Sequence, residues 1–437
     1  MKLDSRAQSD LRAHLPRLLS RARSLLNLPP SDEPRLAPRE LRRAAGLVSE
    51  LHQGLVGERT LARAATYDRA AHLGAYLLWW WPQSYVRVRA ALELAPLPFA
   101  APSSGKDAAP LRILDLGAGP GPAALAIADW LIARGHRVEA LLVDESERAL
   151  AEARALAAGR PHLSLRAEAL DLSAPPARAT LAARASGAFE LISAAHLLSE
   201  LPPGTLERAR FLQELCDAHL APRGALLVVE PALRETGRAL LEVRDALLRV
   251  GDTDQQIRAT QPGRLSALAP CLTQARCPAL QHPRDWCTAE VSWSAPPHLL
   301  QLSRELGLHA EAPLSFAPML LSRAVPAPPG NLWRVVGVPQ EEKGKKRLFI
   351  CAGRGRLAVA RLDRDASAAN HAFDEAARGD LIQLEGLAVK GDGLRLAREG
   401  AATLPGADAL AARASAASDA PGDSARPDAG EGRGGEQ

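Results

Sequence analysis

The chain has 437 residues, 47% apolar and 24% charged, which is enough to bury a sizeable core in two or three domains and excludes a fibre. Its 54 basic and 50 acidic residues leave a formal charge of +4, an excess too small to argue for nucleic acid unless the charges cluster. The longest apolar run, around "LGAYLLWWWP", is about half the length of a membrane span, so no membrane partner is expected.

The opening "MKLDSRAQSDLRAHLPRLLS" has no continuous apolar segment, and Asp4 and Asp10 count against an organellar transit peptide. The expected location is cytoplasmic. Five cysteines in a reducing compartment are not expected to build a disulfide scaffold.

Residues 1–105 read as an all-α region, because apolar residues recur at spacings of three and four in "LRAHLPRLLSRARSLLNL", "LRRAAGLVSELHQGLV" and "YVRVRAALELA". Pro29, Pro30, Pro34, Pro38 and Pro82 punctuate it, and "PLPFAAPSSGKDAAP" reads as a linker. Over residues 106–328 the pattern becomes short apolar strands alternating with helices: "LRILDLG", "VEALLVD", "LSLRAEALDL", "FELISAA", "GALLVVEP" and, late, "LSFAPMLLSRAV". That alternation predicts an α/β domain, a parallel sheet covered by helices on both faces. Within it, residues 266–292 read as a cysteine-bearing insertion. Residues 329–399 predict a small β domain from "WRVVGVP", "KRLFICAG", "RLAVARLD" and "DLIQLEGLAV". The tail over 400–437, rich in Ala, Gly, Asp and Pro, lacks the bulky apolar residues that offset ordering entropy and is expected to be disordered.

"ILDLGAGPGPAALAIADWL" is the most informative stretch of the core. A strand delivers Asp115, and Gly117, Gly119 and Gly121 let the backbone turn tightly before a helix that begins near Pro122. The spacing differs from the Gly-x-Gly-x-x-Gly of dinucleotide binders, and no P-loop lysine follows. It resembles motif I of class I S-adenosylmethionine-dependent methyltransferases, where the loop lies against the methionine part of the cofactor. Asp144, ending the next strand, suits the ribose hydroxyls, and Asp171 and Leu172 resemble the position that reads adenine. The bland alternative is that Asp115 and Asp144 only cap a turn and a helix. The fold expected is thus a Rossmann-like class I methyltransferase core.

Chemistry is less legible. The Asn/Asp-Pro-Pro-aromatic motif of many base N-methyltransferases is absent; "SAAHLLSELPP" stands there instead. His196 is a conceivable base but reads better as a packed or capping residue, and Glu200 and Glu230 better as solvated or strand-end groups. Cys216, in "FLQELCDAHL", follows helical spacing and reads as core. No catalytic residue emerges.

Three cysteines crowd "CLTQARCPALQHPRDWC": Cys271, Cys277 and Cys287, with Cys351 in the later strand "RLFICAGRG". Thiols among Pro, Gln, Arg and His in a loop read as ligands, and four can hold zinc or a [4Fe–4S] cluster. Gaps of five and nine residues lack the tight knuckles of zinc sites and favour the cluster, with zinc the alternative and His282 a conceivable substitute ligand.

The motif I loop, the Cys-x5-Cys-Pro segment followed by Trp-Cys, the late strand cysteine, "AARGDLIQLEG" and the Pro82/Tyr85 helical segment together resemble the Rsm22 family over roughly residues 60 to 390. Leu272 and Thr273 replace the Pro-His that often follows the family's first ligand. The resemblance implies a methyltransferase fold, association with the small ribosomal subunit and its rRNA, cluster ligands at Cys271, Cys277, Cys287 and Cys351, and cofactor contacts at Gly117, Gly119, Gly121 and Asp144. Between Asn331 and Asp365 nine basic residues face four acidic ones, and Lys343, Lys345, Lys346 and Arg347 crowd one hairpin. Charge alone leaves a solvated turn and a phosphate-binding surface open; the resemblance favours RNA. Two rival functions remain: an active rRNA methyltransferase, and a small-molecule methyltransferase with a structural zinc.

Overall fold

The computed structural model describes residues 1–53, 67, 69–95, 97, 99, 109–174, 180, 181, 184, 185, 187–201, 204–248, 264–323, 331–352, 355–391 and 393–405. Most of the expected linker, most of the expected tail and Arg354 of the basic count lie outside the described residues.

Three helices open the chain: α1 (Ser5–Leu25), α2 (Pro38–His52) and α3 (Ala70–Leu92). Asp4 starts α1 by accepting the Ala7 amide at 2.7 Å. Pro82 was expected to punctuate this region, yet α3 runs through it. A proline removes the donor that would satisfy the carbonyl four residues back; here that Leu78 carbonyl takes a hydrogen bond from His298 Nε2 at 3.1 Å. Because its freed acceptor is satisfied from outside, the helix continues.

The central sheet contains β1 (Leu111–Leu116), β2 (Val138–Asp144), β3 (Leu163–Ala169), β4 (Phe189–Ala195), β5 (Leu220–Pro231), β6 (Ser266–Ala269), β7 (Ala289–Val291) and β8 (Leu314–Ser322). Their order is β3-β2-β1-β4-β5-β8-β6, with β7 also on β8. The first five strands are parallel, and β8 enters antiparallel to β5, β6 and β7. This is the class I methyltransferase arrangement, α/β and Rossmann-like. Helices α4 (Pro122–Ile132), α5 (Glu147–Ala157), α6 (Thr205–His219), α7 (Arg234–Leu247) and α8 (Pro297–Leu306) follow in chain order.

Strand alternation divides the core. Ala140 and Leu142 join the cluster that also holds α1 to α5, while Leu141 and Val143 join the one under α6 and α7. The N-terminal helices therefore cover one sheet face and share its core. The cysteine-bearing segment, expected as an insertion within the core, is anchored by its two ends, β6 and β7, which pair with β8 of the main sheet. Only the stretch between them is irregular, with one 3₁₀ turn at Pro278–Gln281.

The last unit comprises β9 (Leu332–Val335), β10 (Gln340–Glu342), β11 (Lys345–Ala352), β12 (Gly355–Leu362), the short α9 (Ala372–Glu375), β13 (Leu381–Lys390) and β14 (Gly393–Thr403). The order is β10-β11-β12-β14-β13-β9, and β9 also pairs with β11, which closes a five-stranded barrel. β12 and β14 are parallel, the other neighbours antiparallel. A barrel of five strands in the order 1-2-3-5-4-1, with a helix between the third and fourth, has the topology of an OB-fold. The expected end at residue 399 is corrected: β14 continues to Thr403, so residues 400–403 are strand, not tail. No helix among the described residues is long and apolar enough to cross a membrane.

Candidate functional site

The glycine loop turns as its sequence demands. Gly117, Gly119 and Gly121 have φ of +64°, +52° and +77°, the left-handed region that side chains resist. Asp115 at the end of β1 is fully buried, and its two oxygens accept the Ala124 amide at 3.1 Å and the Ser193 hydroxyl at 2.6 Å. Both are spent on protein donors, so Asp115 positions the loop between α4 and β4. Burial pushes its carboxyl up to about 7. Asp144 accepts from Gly119 N at 2.8 Å and Ser146 N at 2.9 Å, which joins the ends of β1 and β2 into one mouth. Burial raises its pKa too.

The end of β3 lies beside Asp144, whose carbonyl accepts the Leu170 amide at 2.8 Å. Asp171 is exposed and turns its carboxylate onto Ser173, while Leu172 packs in the core. Four of the seven expected cofactor positions thus have structural jobs within the chain: Asp115, Asp144, Asp171 and Leu172.

Tyr67 was not anticipated. Its ring lies 3.7 Å from the point where a Gly119 side chain would start, meets Tyr76 edge-on at 5.1 Å, and Tyr76 stacks on Trp80. Burial, then Tyr76, Glu200 and Asp144, raise its phenol well above the ordinary value. The only local signal was an aromatic just before α3, and nothing in its spacing says that α3 carries it to the glycine loop.

His196 also reaches this end of the sheet. Its backbone is left-handed (φ +62°) and its amide donates to Val229 at 2.7 Å. Burial, then Arg87, press its imidazole down to about 3, too weak a base to take a proton near neutrality. Glu230 is buried, accepts the Leu198 amide at 2.9 Å and is pushed up to about 7 by burial. Cys216 is fully buried in the core, as its spacing predicted, and its thiol is pushed up to about 12.

Cys271, Cys277, Cys287 and Cys351 line one pocket, together with Arg334 and Arg356. Burial, reinforced by the neighbouring sulfurs, raises Cys277 to about 11 and Cys351 to about 12, and raises Cys287 further. Among the described residues no group of three or more His, Cys, Asp or Glu side chains is set to hold a metal ion; what the chain brings together is four thiols around a shared space. A donor set of thiols alone fits soft metals and iron–sulfur clusters. His282 does not line that pocket and faces a neighbouring cleft instead.

Three arginines brace the surrounding loop. Arg244, buried on α7, donates to the carbonyls of Thr273 and, at 2.6 Å, Ala275. Arg238 donates to those of His282 and Asp285, both at 2.7 Å. Arg334 on β9 is 3% exposed and donates to Leu94 O (2.9 Å), Pro270 O (3.1 Å) and Gly379 O (2.8 Å). It thereby ties the end of the helical region, the cysteine segment and the barrel at one point.

The basic hairpin is the β10–β11 turn. Lys343 is exposed at its tip. Lys345 and Arg347 pair with Glu342 at 2.9 and 3.2 Å, and Lys346 is 9% exposed and donates inward to Asp374 O at 2.6 Å. Lys346 is therefore removed from the expected RNA surface, because strand alternation points it into the barrel. Arg334 and Arg361 of the same basic count are likewise buried.

The fold and these sites define a methyltransferase-like protein with an appended barrel and a pocket lined by four cysteines, three from the core and one from the barrel. Residues 70–383 match the family described as mitochondrial small ribosomal subunit Rsm22, and the chain belongs to that family. No curated protein matches it. Similar solved structures include the citrinin polyketide synthase CMeT domain (16% identity, TM-score 0.31, covering 64% of this chain and 64% of that one). TrmN from Thermus thermophilus is another (19%, 0.29, 57% and 53%). A SAM-dependent methyltransferase from Agrobacterium tumefaciens is a third (16%, 0.28, 55% and 61%). The chain thus spans less than two thirds of each of these solved chains.

Proposed function

We propose that this chain is an S-adenosylmethionine-binding, iron–sulfur protein that binds small-subunit rRNA during ribosome assembly or translation, in the cytoplasm. The observation that carries the reading is the convergence of Cys271, Cys277, Cys287 and Cys351 on one pocket, in a chain of a family described by the small ribosomal subunit. These four would hold the cluster, and a cluster there would fasten the sheet to the barrel. The left-handed glycines 117, 119 and 121, in a loop that the Asp144 carboxylate holds through the Gly119 amide, support methyl-donor binding at the mouth of β1 and β2.

A binding role is the reading favoured by the family's description; an active methyltransferase is the alternative, since alignment of a nucleophile with the methyl donor needs no base at His196. The test has two arms. Protein purified without oxygen should contain iron and sulfide and co-sediment with small subunits in a salt-sensitive way; zinc in their place, with no affinity for RNA, would support the small-molecule methyltransferase. Mass spectrometry of rRNA from a deletion strain should show every methyl group retained, and a missing one would establish the active enzyme.

A further inference from the structure

The barrel carries a second site beside the cysteine pocket. A cleft of about 820 Å³ opens between the cysteine segment, through Pro278, Gln281 and His282, and the barrel, through Val338, Gln340 and Phe349. Pro278 and Arg356 border both the cleft and the cysteine pocket. The barrel wall is formed by β11, β12 and the β9–β11 connection, which in OB topology are the second strand, the third strand and the first loop. That face is where barrels of this topology take up oligonucleotides.

Register decides what the face presents. Alternation along β11 turns Lys346, Leu348 and Ile350 inward and leaves Lys345, Arg347, Phe349 and Cys351 partly exposed. Across from them on β12 stand Leu362, Ala360, Ala358 and Arg356. The stripe therefore runs from two cations, past an aromatic ring, to one of the four cysteines. The small side chains of Ala358 and Ala360 leave room beside the ring. Val338 at the rim is 54% exposed, and Gln281 and Gln340 supply amides that both donate and accept.

The geometry points to a single-stranded RNA site: a base stacks on Phe349 against Val338, the glutamines reach its edge, and the backbone runs toward Lys345, Arg347 and the hairpin tip at Lys343. Phosphates would compete with Glu342 for Lys345 and Arg347, a salt-sensitive exchange. Duplex RNA is excluded because its bases offer no free face to the ring. The inference rests on the rRNA-binding reading and deepens it by naming the surface and the form of RNA.

The test is fluorescence anisotropy of a short labelled oligouridylate with the metal-replete full chain. Val338→Glu and Phe349→Ala should each weaken binding about tenfold, the scale of one lost base stack. Phe349→Tyr should restore it, duplex RNA should compete poorly, and metal content and melting temperature should stay at the parent's values. If the parent binds both the oligouridylate and small-subunit rRNA, and Val338→Glu and Phe349→Ala bind equally well, the cleft is not the site, although the rRNA reading stands. If the parent binds neither RNA, both readings fall.

Discussion

The Trp81 indole N–H donates to the Pro120 carbonyl at 3.1 Å, so a residue of the N-terminal helical region holds the glycine loop of the α/β core. The same ring stacks on Tyr85, whose hydroxyl donates to Asp129 of α4 at 2.7 Å. Helix α3 thus grips both the loop and the helix that follows it. Trp81→Phe keeps most of the packing and leaves the Pro120 carbonyl without this donor. Urea denaturation should show a loss of about 1–2 kcal/mol, and calorimetry should show several-fold weaker binding of S-adenosylhomocysteine.

Arg334 joins three parts of the chain through the carbonyls of Leu94, Pro270 and Gly379. A lysine has the charge but lacks the planar fork that reaches three directions. Arg334→Lys should destabilise the chain by about 2–3 kcal/mol in urea. Limited proteolysis should then release the barrel from the core.

Glu230 gives a pH signature. Burial raises its pKa in the folded chain from an ordinary 4.5 to about 7, so the folded state binds the proton more tightly than the unfolded one. Its contribution to stability is complete below about pH 4.5 and declines as pH rises to about 7. Because Oε1 accepts the Leu198 amide, Glu230→Gln keeps that acceptor and removes the buried charge. Melting curves across pH should flatten in that window, with the variant the more stable above pH 7 by on the order of 3 kcal/mol.

The five cysteines divide four to one. Alanine at Cys271, Cys277, Cys287 or Cys351 should each lower iron and sulfide content together and abolish visible absorption. Cys216→Ala, in the buried core beneath α6, should retain both and cost only about 1 kcal/mol of stability. A metal content indifferent to any of the first four would remove that residue from the ligand set.

Local pattern carried much of the architecture. Strands β1 to β5 were legible because buried parallel strands are short apolar runs between helical segments. The three glycines were legible because a turn that tight needs left-handed backbone. Strands β6 and β7 were not, since four and three residues are too few to show a period. The convergence of the cysteines was legible only as a suspicion drawn from their crowding.

What the sequence determined by itself is what neighbouring residues impose on each other: the helices, the core strands, the glycine turn and the inventory of thiols and cations. Tertiary structure decided which of these meet. Closure of the barrel depends on β9 pairing with both β11 and β13, a choice made between residues far apart in the chain. That choice fixes which face of β11 looks out, and so buries Lys346 while leaving Phe349 in the cleft. A charge or a ring has the same letter on either face; only the partner strand gives it a side.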